Sequence, residues 1–123
     1  MDALESLEVW KRSCKLSVQL YKAMNNCREY GFKDQITRSA LSVPSNIAEG
    51  YERGTGKSRI QFLTIAKGSC GELWTQLLIG RKAGFIENET GKKLELESKE
   101  ISKMLYGLIQ HFQKQQTKAG SRS

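Results

Sequence analysis

One stretch constrains this chain more than any other: Arg38-Ser-Ala-Leu-Ser-Val-Pro-Ser-Asn-Ile-Ala-Glu-Gly-Tyr-Glu-Arg53. Ile36, Ala40, Val43 and Ile47 recur at steps of four, three and four, which gathers them on one face of a helix. Arg38, Ser42, Asn46, Glu49 and Arg53 follow the same period on the far side. Between the two stripes falls Pro44, the single proline of the chain. Proline lacks a backbone N–H and crowds the carbonyl four residues earlier, so the helix should kink or restart there.

Four helical segments are expected. The first spans about Leu7 to Asn26, with Trp10, Leu16, Leu20, Tyr21 and Met24 buried and Gly31 in the following loop. The second runs from near Asp34 to Arg53, where Gly54-Thr55-Gly56 interrupts the pattern and Thr55 stands as the N-cap of the third. The third covers about Lys57 to Lys82, with a seam of Phe62, Ala66, Ser69, Leu73, Leu77 and Gly80. Gly68 and Gly71 lie inside it at a cost of about 1 kcal/mol each relative to alanine. Either they permit close approach of a neighbouring helix or they loosen a turn; close approach is preferred, with Gly107 as the small partner position.

After a turn capped by Gly84, Glu87 or Asn88 starts the fourth helix, which carries Leu94, Ile101, Leu105, Leu108 and Phe112 to about Gln116. Helices of about 20–28 residues are ~30–42 Å long. Joined by short loops, they give an all-α, antiparallel up-down-up-down four-helix bundle with helix 2 kinked near Pro44. Residues 1–117 form a single domain, and 118–123 a disordered basic tail.

The chain carries 20 Lys+Arg against 13 Asp+Glu, a net charge of +7. That excess favours polyanionic partners as much as it favours plain solubility. The cations are clustered. No acid falls between Glu8 and Glu29, nor between Glu52 and Glu72, nor after His111. Three cysteines, Cys14, Cys27 and Cys70, show no paired spacing and suit reduced thiols. The acidic N-terminus does not read as a signal peptide, and no run approaches the roughly 20 apolar residues of a membrane span. A cytoplasmic protein without a membrane partner is expected.

Catalytic motifs are scarce. Gly56-Lys57-Ser58 resembles the end of a phosphate-binding loop, but the required first glycine position is Tyr51, with Gly50 one residue too far. His111 is the only histidine, which leaves little material for a zinc site or a Ser-His-Asp triad. Glu95, Glu97 and Glu100 alternate with lysines and read as a salt-bridged face. Glu49 and Glu72 could in principle pair across two helices around a metal, but hydrogen bonding to Asn46, a serine or an arginine is preferred. No catalytic residue, metal, cofactor or small-molecule substrate is assigned. The polar stripe of helix 2 stays open between a solvated face, a subunit contact and a phosphate contact.

Two motifs carry a resemblance: Ser-Val-Pro-Ser-Asn-Ile-Ala-Glu-Gly at 42–50, and Phe62-Leu63-x-Ile65-Ala66-x-Gly68-Ser69-x-x-Glu72-Leu73. In this order the chain resembles the bacterial four-helix-bundle family of 23S rRNA intervening-sequence proteins, also labelled S23 ribosomal protein. The likeness runs from Leu7-Glu8-Val9-Trp10 to Leu105-x-x-Leu108-Ile109. Gly71 stands where alanine would be expected, and Ser58 where an acid would complete a capping box with Thr55. The resemblance implies a ring-like homopentamer and no enzymatic activity. A related group serves as the accessory subunit of retroelement reverse transcriptases, binding RNA and the polymerase through a basic surface. Pro44 then belongs to the design of helix 2 and does not end it.

The leading expectation is a non-enzymatic homo-oligomer that contacts RNA or DNA phosphates through Arg38, Arg53, Lys57, Arg59 and Lys67, with Lys11, Arg12 and Lys15 as additions. The competing expectation is an interaction subunit, such as a reverse-transcriptase accessory factor, with Asn46, Glu49 and Glu72 at a subunit interface.

Overall fold

A computed structural model describes the backbone of residues 2–121 and the side chains of residues 3–118. Five helices follow one another: α1 Asp2–Glu5, α2 Glu8–Ala23, α3 Tyr30–Arg53, α4 Gly56–Lys82 and α5 Asn88–Ser121. Helices α2 to α5 form the bundle, each packed against its sequence neighbour, and α5 closes the ring on α2. The short turn α1 rests on α2 and α3 and was absent from the expected pattern. Contacts at the two ends give the directions. Arg59 near the start of α4 meets Tyr51 at the end of α3 and Phe112 late in α5. Gly80 near the end of α4 lies against Phe32 at the start of α3. Neighbouring helices therefore run antiparallel.

The α3 stripe is buried as its spacing requires: Ile36, Ala40, Val43 and Ile47 are at most 1% exposed. The helix starts at Tyr30, four residues before Asp34, and continues through a buried Pro44. Proline cannot donate to the carbonyl of Ala40, and Ser17 Oγ of α2 does so at 2.9 Å. A neighbouring hydroxyl thus makes good the missing hydrogen bond. α3 ends at Gly54, whose φ of 71° suits glycine.

In α2, Val9, Leu16 and Leu20 are buried with Ser13 and Ser17, as is Met24 at its C-cap. Tyr21 is 48% exposed, contrary to its expected core position, because it falls just beyond the buried stripe. In α4 the seam passes through Leu63, Ala66, Cys70, Leu73, Leu77 and Gly80, at alternating steps of three and four. Phe62, one place off that seam, is only half-buried. In α5, Leu94, Ile101, Leu105 and Ile109 are buried, while Leu108 and Phe112 pack at its edge.

The glycine expectation is overturned. A Cβ on Gly68, Gly71 or Gly107 would meet nothing within 4 Å, since all three face outward. The tightest approach is at Gly80, where a Cβ would lie 2.5 Å from Phe32 Cζ, followed by Gly56, 2.6 Å from Gln116 Nε2. Thr55 occupies the N-cap of α4 but its side chain caps nothing. Glu87 does cap: its carboxylate accepts the Thr90 N–H at 2.6 Å, which holds the Glu87 pKa below the usual range. The backbone of helix α5 is described through Ser121, and of the expected tail Arg122 and Ser123 lie outside the described residues. Among the described residues no helix is long and apolar enough to cross a membrane.

Candidate nucleic-acid interface

The cations picked out along the sequence take different positions in the fold. Arg12 is half-buried and clamps α2 to α5: its Nε donates to Glu97 Oε2 at 3.0 Å and its Nη2 to the other carboxylate oxygen. This hydrogen-bonded pairing raises the Arg12 pKa and ties α2 to α5. Arg38 pairs with Asp34 at 3.2 Å on the outer face of α3. Arg53 donates to Glu49 at 2.7 Å and lies over the Phe62 ring. Arg59 is half-buried between the rings of Tyr51 and Phe112, 4.5 and 5.1 Å from their centroids. Lys67 is half-buried beside Cys70, while Lys11, Lys15 and Lys57 are exposed.

The polar stripe of α3 is largely satisfied within the chain. Asn46 Nδ2 donates to the Ser42 carbonyl and hydroxyl at 2.8 and 2.9 Å, and Ser42 Oγ meets Ser69 Oγ of α4 at 2.8 Å. Asn46 therefore fixes the α3–α4 contact through Ser42, and Glu49 holds Arg53. Glu72 is exposed on α4, away from Glu49. Among the described residues no group of three or more His, Cys, Asp or Glu side chains could hold a metal ion. Burial pushes the Cys70 thiol up to about 12, with Lys67 opposing it, and raises that of Cys14. Such thiols stay protonated and are poor nucleophiles.

A further cluster of cations lies where α2 ends and α3 begins. Tyr21, Lys22, Asn25 and Lys33 line one concavity. Asn25, Asn26, Arg28, Tyr30 and Lys33 line the next. A third joins through Lys22 and reaches Lys93 and Leu94 on α5. The three adjoin through shared residues, and no Asp or Glu lines any of them. Lys22, Arg28 and Lys33 make no ion pair with the described acids. Tyr30 is 70% exposed and Tyr21 48% exposed, so two ring faces stand beside these cations.

Lys22 and Arg28 fall within the acid-free run between Glu8 and Glu29, but sequence spacing alone does not assemble them into a site. The signal that could have found them is the pair Tyr21 and Tyr30, polar-tipped aromatics flanking Asn25-Asn26 where a core helix ends.

Fold and surface define a class: a small antiparallel helical bundle with concentrated cationic surface. Within that class, the model of the 23S rRNA-intervening sequence protein family matches residues 5–107, and the chain belongs to that family. A solved crystal structure from Bacteroides thetaiotaomicron, of a protein of unknown function from the S23 ribosomal protein family, is similar. It shares 28% identity over 82% of this chain and 97% of its own length, with a TM-score of 0.77. A search of the curated proteins found no match.

Proposed function

We propose that the protein is a non-enzymatic, homo-oligomeric factor, pentameric as the family resemblance implies, that binds RNA or DNA through its basic surface. The observation that carries this reading is the run of adjoining concavities around Lys22, Lys33 and Arg28, lined by cations and by no carboxylate. Phosphate contacts from such side chains supply affinity without sequence readout. Exposed Lys11, Lys15 and Lys57 extend the positive surface on α2 and α4. Binding to a structured RNA, measured from low to high salt, tests it: log K should fall linearly with log salt. Absence of binding at low salt, or affinity indifferent to salt, would contradict it.

A second reading is favoured by α4. Ile65, Gly68, Glu72, Thr75 and Ile79 recur at steps of three and four on its outer face, with Ile65 44% and Ile79 54% exposed. That stripe suits contact with another protein surface, either a second copy or a polymerase such as a reverse transcriptase. Ile65→Asp should then lower the assembly mass in light scattering while leaving RNA binding per subunit in place.

A further inference from the structure

The surface at the α2–α3 junction has two components, and phosphate binding uses only one of them. Cations alone would serve any polyanion. The exposed rings of Tyr21 and Tyr30 need a planar partner, and a base within a duplex offers no free face to them. Tyr21 shares its concavity with Lys22 and Lys33, and Tyr30 shares the adjoining one with Arg28 and Lys33. Lys33 thus stands between two aromatic platforms. Two exposed acids flank the junction in sequence, Glu29 and Asp34; neither lines a concavity, the Glu29 backbone carbonyl accepts the Lys33 N–H at 2.9 Å, and Asp34 is paired with Arg38. No carboxylate among the described residues lines the concavities themselves.

We infer that this junction is a binding site for single-stranded nucleic acid, in which Lys22, Arg28 and Lys33 hold consecutive phosphates while unpaired bases stack on Tyr21 and Tyr30. The inference rests on the nucleic-acid reading above and adds a place and a strand preference to it. Both tyrosines are exposed and neither belongs to the buried core, so their replacement should leave the bundle folded, which circular dichroism of the variant checks.

The test compares three probes of equal length by fluorescence anisotropy on the full chain: a single-stranded oligonucleotide, its duplex, and an abasic strand with phosphates but no bases. The single strand should bind about tenfold or more tighter than the abasic strand, the scale of base–aromatic stacking. Tyr21→Ala with Tyr30→Ala should erase that advantage and leave duplex and abasic binding unchanged, whereas Tyr21→Phe with Tyr30→Phe should keep it. Lys22→Gln, Arg28→Gln and Lys33→Gln together should weaken all three probes and reduce the single-strand salt slope by about 2.

Equal affinity for single and abasic strands would overturn the inference, and so would an alanine double variant that binds the single strand as wild type does. In either case salt-dependent binding would still uphold the broader reading. No binding of any probe would overturn both.

Discussion

Ser17 donates its hydroxyl to the carbonyl of Ala40 across 2.9 Å, the carbonyl that Pro44 leaves without its helical donor. One hydrogen bond between α2 and α3 thereby makes an internal proline compatible with a continuous helix. Ser17→Ala should cost about 1–3 kcal/mol, the scale for stranding a buried carbonyl. With Pro44→Ala in place the restored N–H serves Ala40, so Ser17→Ala should cost clearly less. Chemical denaturation of the four proteins in this cycle checks the coupling; equal costs in both backgrounds would refute it.

Gly80 and Gly68 should respond oppositely to alanine. At Gly80 the new Cβ would lie 2.5 Å from Phe32 Cζ, and forcing that contact should cost about 1–3 kcal/mol. At Gly68 the Cβ meets open space, so alanine should stabilise the helix by up to about 1 kcal/mol. Thermal melts of the two variants should move in opposite directions.

Two ion pairs should differ in worth. Arg12 and Glu97 are partly shielded and doubly hydrogen-bonded across α2 and α5, so a double-mutant cycle should return about 1 kcal/mol or more. Arg38 and Asp34 lie in the open on one helix and should return no more than about 0.5 kcal/mol.

Cys70 should impose a pH dependence. Burial raises its folded-state pKa to about 12 from an ordinary value of 9.0. A folded state that holds its proton longer than the unfolded chain is fully stabilised below about pH 9 and loses that stability between about 9 and 12. The slope can reach about 1.4 kcal/mol per pH unit. Urea midpoints at rising alkaline pH should fall less steeply for Cys70→Ala than for wild type.

Much of the architecture was legible because helical burial is written in spacing. Ile36, Ala40, Val43 and Ile47 had to share a face, and they do. Spacing says less about how far a stripe extends sideways, and so Tyr21 and Phe62 were placed too deep. Glycine is harder still. Gly68 and Gly71 interrupt a buried helix in sequence, yet face away from every neighbour, while Gly80 carries the tight contact. Cation roles depend on partners distant in the chain: Arg12 lies 85 residues from the Glu97 that claims it. Lys22, Arg28 and Lys33 could be gathered only once the end of α2 and the start of α3 were placed side by side.

The most direct measurement is the salt slope of RNA binding for wild type and for the variant Lys22→Gln, Arg28→Gln, Lys33→Gln, beside a control carrying Lys11→Gln and Lys15→Gln. Each lost phosphate contact lowers the slope by about 0.7 on a single strand. The account predicts a drop of about 2 in the junction variant and a smaller one in the control. An unchanged slope in the junction variant, with RNA still bound, would contradict it.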